Sequence, residues 1–579
     1  MKLRSCLAGA LWLLAGVSSA AAQATAAGGR IPVDTAVTIG RLPNGVTYYV
    51  RENREPRKRA ELRLVVNAGS VLEDESQRGL AHLVEHMAFN GTRNFAKQEL
   101  VRYLESVGMR FGPDINAYTS FDETVYMLTL PTDSAGVLEK GVQILEDWAH
   151  GIAFDSAEIR RERPVVIEEW RLGRGASSRI MDRQFPVLFR GSRYAERLPI
   201  GTRESLERST DADIRRFYAE WYRPELMAVV AVGDFDGGAM ERMIREHFSR
   251  IPASRAARER PVHPVPLGDE PSFSVVTDRE ATGSQVSLYY KQPRAERGTE
   301  AAYRTAAVEA LYLAMLNDRL HELTQKPDAP YLSAQVQSGA LVRSADVHVL
   351  HASVGDNKVQ GGLEALLTEA RRAARHGFTA TELERHRGEL LRLWEQVYQE
   401  REKTHSGQYA GEYAAHFLEG EPIPGTAAEV ALYRRLVPGV TLEEVNRLAR
   451  ERVAARAPVV LVSLPEKAGV SAPTEAELAA VFRAVEGREV EAYRDRVSDR
   501  PLVPNPPKPG RVVSERTVPE IGVTEWTLSN GVRVVLKPTD FKEDELLFAA
   551  NSPGGLSLAP DSLYVPAMTA TGVVHAGGV

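Results

Sequence analysis

Cysteine is almost missing from this chain. The one thiol, Cys6, stands near the N-terminus, so no disulfide framework is available and the fold must rest on its apolar cores. Any metal site in the rest of the chain must then be built from histidine and carboxylate. Charge of one sign is also lacking: 72 Lys and Arg against 78 Asp and Glu leave a net charge of −6, which argues against a general nucleic-acid or anionic-membrane binder. No Walker A motif and no strand–GxGxxG–helix unit occurs, which removes the common nucleotide-binding readings. Beyond the first 30 residues no apolar run approaches the ~20 residues a spanning helix needs, so no stable membrane span is expected.

What the N-terminus does contain is MKLRSCLAGALWLLAGVSSAAAQA: Lys2 and Arg4, an apolar run ending near Val17, then small residues. This order reads as a cleavable secretory signal over residues 1–24 with an exit near Ala22-Gln23-Ala24. Cys6 precedes the apolar core, which is the wrong place for a lipoprotein cysteine. The product is expected to be exported, periplasmic or secreted.

At 579 residues the chain needs several cores. RLPNGVTYYV (41–50) carries an Asn-Gly hairpin turn between β-type runs, and ELRLVVNAGS (61–70) reads as a strand. Helical periodicity follows at 77–89, 97–109 and 137–152, with a strand at 123–131. A helix over 156–173 contains Pro164, an interior position that costs about 3 kcal/mol without a kink. A buried strand lies in LMAVVAVGDFD (226–236), followed by a helix at 239–251. Frequent hairpin signals among alternating strands and helices predict an α+β fold: repeated two-layer domains, each a largely antiparallel sheet packed with helices.

The alternation repeats from about 268 to 490, and DRPLVPNPPKPGR (499–511) reads as a stiff linker. Beyond it LSNGVRVVLKPT (528–539) echoes LPNGVTYYVREN (42–53), and DELLFAANSPGG (544–555) echoes AELRLVVNAGS (60–70). The expected organisation is a first domain over 36–256, a second over 268–495, a linker over 496–514 and the start of a third domain over 515–579. The third lacks the histidines of the first, and the chain reads as the N-terminal part of a longer protein.

The chemistry concentrates in GLAHLVEHMAFNGT (79–92). On a helix His82, Glu85 and His86 share a face, because i, i+3 and i+4 project together. Two imidazoles four apart can each reach one Zn²⁺, and a carboxylate beside them can take a proton from water; H-x-x-E-H is a known catalytic zinc pattern. Two histidines on an apolar helix also fit a satisfied core. A catalytic zinc needs a third protein ligand, and ERPVVIEE offers Glu162, Glu168 and Glu169. Glu162 and Glu169, seven apart, share a helix face, and spacing leaves both open.

With these motifs in their order, the chain resembles the M16 zinc peptidases, most closely their long bacterial exported members. GLAHLVEHMAFNGT is similar to the family's inverted zinc signature, DINAYTSFDETVY (114–126) to the segment after it, ERPVVIEEWR (162–171) to its E-x6-E helix, and WYRPELMAVVAVGDFD (221–236) to the strand ending its first domain. The resemblance implies a LuxS-like metallohydrolase fold and one Zn²⁺ per chain held by His82, His86 and Glu169. It makes Glu85 the general base, Glu162 a supporting acidic residue, and Asn116 and Ala117 the positions that hold the substrate backbone, with an extended peptide added as a strand. The substrate would be an oligopeptide or unfolded polypeptide. In the family a second, zinc-free half closes the chamber and supplies an Arg and a Tyr. Those positions lie past residue 579, so a second M16-like half or subunit is the expected partner, and an incomplete or non-catalytic binding half is the alternative. The spacing from His86 to Glu169 is a few residues longer than in pitrilysin, which is read as loop length.

Four further histidines read as non-metal residues: His405 and His416 lack metal spacing and read as structural or surface, and His348 and His351 as strand residues facing opposite ways.

Overall fold

The computed structural model describes residues 29–577 except 98, 255–257, 455–456, 496–504 and 543–544. The secretory segment with its exit, and residues 496–504 of the expected linker, therefore lie outside the described residues. Two compact units result: one runs to Glu395 and from Arg401 to Tyr493, the other holds Gln396–Glu400 and the chain from Arg494 onward.

The first unit contains two sheets. Strands β1 (Val37–Arg41), β2 (Thr47–Glu52), β3 (Arg59–Val66), β4 (Ile115–Thr119), β5 (Thr124–Pro131) and β6 (Met227–Gly233) form a sheet of order β1-β2-β6-β3-β5-β4. Only β2–β6 is parallel; the other pairs are antiparallel. Strands β7 (Ser272–Asp278), β8 (Ser284–Pro293), β9 (Ser333–Val342), β10 (Ala345–Val354) and β11 (Val459–Pro465) form the second sheet, of order β7-β11-β8-β10-β9, with β7–β11 its parallel pair. The fold is α+β with antiparallel-dominated sheets packed by helices, as the hairpin signals predict.

Helices of the first sheet's region are α1 (Leu80–Met87), α2 (Glu99–Ser106), α3 (Val137–His150), α4 (Ser156–Leu172), α5 (Ala176–Leu188), α6 (Arg203–Arg208), α7 (Asp211–Trp221) and α8 (Gly237–Phe248). Leu80, Leu83, Val84 and Met87 of α1 are fully buried with Leu62, Leu64, Tyr126 and Trp148 in one core. At ~1.5–3 kcal/mol for each large apolar side chain, that face anchors the short helix. The second sheet carries α9 (Glu300–Thr324), α10 (Val359–His376), α11 (Ala380–Gln399), α12 (Ser406–Glu419), α13 (Thr426–Leu436), α14 (Leu442–Ala454) and α15 (Glu475–Gly487). One of these, α12, crosses to the other face of the first sheet: Tyr413 stacks on Tyr49 at 5.7 Å, and the Arg51 guanidinium lies 3.8 Å above the Tyr409 ring.

One local expectation needs adjustment and another holds. The helix predicted over 77–89 is shorter, because Gly79 takes a left-handed φ of 89° and breaks it from the turns at 70–77. The helix predicted over 156–173 forms as α4 and runs unbroken through Pro164; Pro164 and Arg160, whose carbonyl loses its amide donor there, are both exposed residues.

The second unit holds β12 (Val512–Val518), β13 (Val523–Leu528) and β14 (Arg533–Leu536) in an antiparallel sheet, then α16 (Tyr564–Gly577). The Asn530-Gly531 turn joins β13 to β14, as the echo of Asn44-Gly45 predicts. The segment 544–555, which echoes the strand sequence at 60–70, does not pair: residues 545–550 belong to no strand, and Leu546, Leu547 and Phe548 are exposed. Among the described residues no strand is paired with that segment, and without a neighbour its amides and carbonyls have no ladder to join.

Candidate metal centre

Two helices build the site. From α1 come His82, Glu85 and His86; from α4, which packs against it, come Glu162 and Glu169. Asp155 starts α4 by accepting from the amides of Ala157 and Glu158 at 2.7 and 3.1 Å, so both glutamates project from a capped helix.

Donor atoms of His82, His86 and Glu169 converge within 4.8 Å of one another. Oε2 of Glu169 lies 3.4 Å from Nε2 of His86 and 3.9 Å from Nε2 of His82. Two donors on one tetrahedral zinc stand about 3.3 Å apart at the usual bond lengths, so the set is close to a metal-sized triangle. Glu162 takes a different place: its Oε1 is 2.8 Å from Nδ1 of His86. A hydrogen on Nδ1 donated to that carboxylate leaves the Nε2 lone pair facing Glu169 and His82, the tautomer a metal ligand needs. Asn90 supports the same corner, its Nδ2 donating to the His86 carbonyl at 3.1 Å. The donors therefore fit zinc. Nδ1 of His82 is buried with no hydrogen-bond partner, so this ring is fixed by packing rather than by a polar neighbour.

The charges follow from burial and these contacts. Burial, helped by His86 beside it, holds His82 down at about 4, so it is a neutral donor at ordinary pH. For His86 burial works the same way, but the Glu162 hydrogen bond and the charges of Glu85, Glu162 and Glu169 outweigh it and raise its pKa. Burial opposes ionisation of Glu162, and the His86 contact wins, lowering it. Glu85 is 8% exposed, and desolvation raises its pKa, making it a stronger base than a surface carboxylate.

Thr119 donates to Oε2 of Glu85 at 2.6 Å. It is the last residue of β4, the edge strand of the first sheet, which also carries Asn116 and Ala117. Asn116 is exposed, and its Oδ1 accepts from the Ala117 amide at 2.9 Å; Ala117 is half-buried against the core below. Behind Glu85 the Tyr126 and Tyr222 hydroxyls meet at 2.8 Å in the core. At the head of α1, Glu73 is fully buried; burial pushes it up to about 8 against the pull of the Ala81 and Gly79 amides it accepts from.

All the sequence-derived metal residues thus meet at one place, with Asn116 and Ala117 on the neighbouring edge. The sequence does not single out Thr119 or Glu73, and it marks Asn90 only as part of an Asn-Gly helix stop. Thr119 stands inside DINAYTSFDETVY, but nothing in its local pattern points 34 residues back to Glu85. Glu168, the third glutamate of the stretch, is exposed and binds Arg171 instead. Three of the other histidines bear out their structural reading: His348 meets Ser338, His351 meets Ser287, and His416 meets the Glu421 carbonyl, while His405 is exposed at the surface.

Residues 48–173 match the model of insulinase (peptidase family M16), and residues 209–390 that of the peptidase M16 inactive domain. A zinc protease PQQL-like protein of Arabidopsis thaliana is 36% identical over 528 residues, which is 91% of this chain and 52% of that protein. A probable zinc protease PqqL of Escherichia coli (strain K12) is 28% identical over 534 residues, 91% of this chain and 57% of that protein. The crystal structure of the periplasmic protease PqqL from Escherichia coli superposes with a TM-score of 0.76 at 28% identity, over 88% of this chain and 56% of that one. This chain therefore spans about half the length of the curated relatives it matches.

Proposed function

Since this chain belongs to peptidase family M16, we propose that it is a zinc-dependent endopeptidase hydrolysing peptide bonds of oligopeptides or unfolded polypeptides. The observation that carries the reading is the convergence of His82, His86 and Glu169 while Glu162 occupies the far nitrogen of His86. His82, His86 and Glu169 would hold one Zn²⁺. When bound, zinc polarises the scissile carbonyl and acidifies water. Glu85, desolvated and steered by Thr119, accepts the proton of the attacking water and returns it to the leaving amine. Glu162 fixes the His86 ring and its tautomer. Asn116 and Ala117 lie where an extended peptide can add beside the edge strand β4 as a further strand.

The same reading divides the chain into a zinc-bearing domain at 36–256, a metal-free domain at 268–495, a linker at 496–514 and a third, zinc-free domain beginning at 515. The matching strand orders of the first two sheets support it. Export to the periplasm or beyond is proposed from residues 1–24 and from the periplasmic relative; among the described residues no helix is long and apolar enough to cross a membrane.

A second reading, an incomplete or non-catalytic half that works with a partner chain, is favoured by one observation: coverage of only 52–57% of the curated relatives. Zinc content and cleavage of a quenched fluorescent peptide separate the readings. The endopeptidase reading expects about one zinc per chain, cleavage by the wild type, and a loss of about 10²–10⁴-fold in Glu85→Gln with zinc retained. Zinc without cleavage supports an incomplete half-enzyme, and a metal-free protein defeats the endopeptidase reading in favour of a non-catalytic half.

A further inference from the structure

The apolar face of the metal helix anchors it to the core, but nothing in the helix itself caps its first turn. Helix α1 has eight residues, too few for stability on its own, and its N-cap is Gly79, which has no side chain to offer the first-turn amides. A residue outside the helix takes over that task. Oε1 of Glu73 accepts from the amides of Gly79 at 3.0 Å and Ala81 at 2.8 Å, and Oε2 accepts again from Gly79 at 3.1 Å. Ala81 is the residue before His82.

Glu73 is itself clamped. Nε of Arg197 donates to its carbonyl at 3.0 Å, Arg193 reaches the same carbonyl, and Nε of Arg193 donates to the Val71 carbonyl at 2.7 Å. Ser70 closes the loop by donating to the Arg197 carbonyl at 2.6 Å. On the far side Gly201 lies against Gly79 so closely that a Cβ on it would stand 2.5 Å from the Gly79 Cα. The backbone entering α1 is thus gripped between a carboxylate and a close-packed glycine.

We propose that Glu73 is a positioning residue of the metal centre: its buried carboxylate fixes the first turn of α1, and through it the direction from which His82 meets the metal. This matters most for His82, whose Nδ1 has no polar neighbour to orient the ring. The proposal rests on His82, His86 and Glu169 being the metal ligands.

The test compares wild type with Glu73→Gln, which keeps the side chain's shape but turns one oxygen into a donor facing amide donors. Both are loaded with Co²⁺ in place of Zn²⁺, and affinity, visible ligand-field spectrum and amide exchange are read. The variant is expected to bind about 10–100-fold more weakly, as when an outer partner of a metal ligand is lost. Its Co²⁺ bands should change, which a general loss of stability would not cause. Exchange should quicken at 79–84 and stay unchanged in β3, β5 and β6. Wild-type affinity and spectrum in Glu73→Gln overturn the role of Glu73 alone, whereas a wild type that takes up no metal overturns the ligand reading. Should the variant fail to fold, the wild type decides: Gly79 and Ala81 amides exchanging as slowly as β3 support the clamp, and exchange at the rate of exposed amides overturns it.

Discussion

The two sheets of the first unit repeat one plan. Remove β1, and the order β2-β6-β3-β5-β4 has the same sequence of parallel and antiparallel pairs as β7-β11-β8-β10-β9. In each, an inner strand leaves for a helical connection and returns as the edge strand: β3 to β4 through α1 and α2, β8 to β9 through α9. The contents of the connection differ. Helix α9 is a continuous rod of 25 residues whose inner face is Val308, Leu311, Tyr312, Met315, Leu316 and Leu320, and its one histidine, His321, is exposed. Helix α1 is cut to eight residues and places His82, Glu85 and His86 beside the sheet edge. The lesson is that the plan stabilises itself with apolar side chains in one copy. In the other it gives up helix length and desolvates four ionisable groups, Glu73, His82, Glu85 and His86, each held by a helix amide, a hydroxyl, a carboxylate or packing.

If that contrast is a metal site against a plain core, deleting a ligand should produce the largest effect. His86→Ala is expected to abolish zinc binding and, with it, any peptide cleavage, leaving the second region unaffected. Metal analysis of the purified variant together with amide exchange checks it; retained stoichiometric zinc would erase the difference between the two copies.

Next in size is Glu162→Gln. The amide can still meet Nδ1 of His86 but no longer offers a charge, so zinc affinity should fall about 10–100-fold while the fold persists. Competition with a chelator of known affinity measures it. Loss as complete as in His86→Ala would mean that Glu162, not Glu169, ligates.

The second region carries its own buried histidine, and its titration sharpens the comparison from the other side. His348 lies in β10 against Ser338 and Tyr312, and burial, aided by the Arg452 charge, holds it down at about 3. Unfolded, it binds a proton near its ordinary value of ~6.5. Between these values the unfolded state holds more protons, so stability present above ~6.5 is lost as pH falls, by up to about 1.4 kcal/mol per unit. Denaturant midpoints from pH 7 to pH 4 should show this acid slope, and His348→Gln should flatten it. A buried histidine with no metal thus acts only on stability.

Part of this was legible in the chain's own letters. The i, i+3, i+4 spacing brings His82, Glu85 and His86 together without any tertiary information, and hairpin turns at Asn44-Gly45 and Asn530-Gly531 fix local pairing. Ranking Glu162 against Glu169 depends on how α4 lies on α1, a docking that seven-residue spacing cannot specify. Thr119 and Glu73 were hidden for a related reason: each acts through one long-range hydrogen bond, and no periodicity marks such a residue. The segment 544–555 echoes a strand but does not pair, because strand-like sequence becomes a strand only where a neighbour offers a ladder.

The smallest expected effect concerns the glutamate next to the ligand. Glu168 and Glu169 are adjacent, chemically identical and both exposed, yet successive residues on a helix point about 100° apart. Glu169 faces the imidazoles, whereas Glu168 turns away and forms a two-pronged pair with Arg171, its Oε2 accepting from Nε at 2.8 Å. An exposed pair three residues apart contributes little, because water and salt screen it. Glu168→Gln should therefore leave zinc stoichiometry, zinc affinity and Tm at wild-type values, while Glu169→Gln loses the metal. Titrating both variants with zinc under one set of conditions makes the test internal: the substitutions differ by one position and share every nonspecific effect of removing a negative charge near the site. Equal weakening in the two would mean that the site attracts the cation through diffuse charge, and the contrast between α1 and α9 would then rest on electrostatic potential rather than on a built triangle of donors.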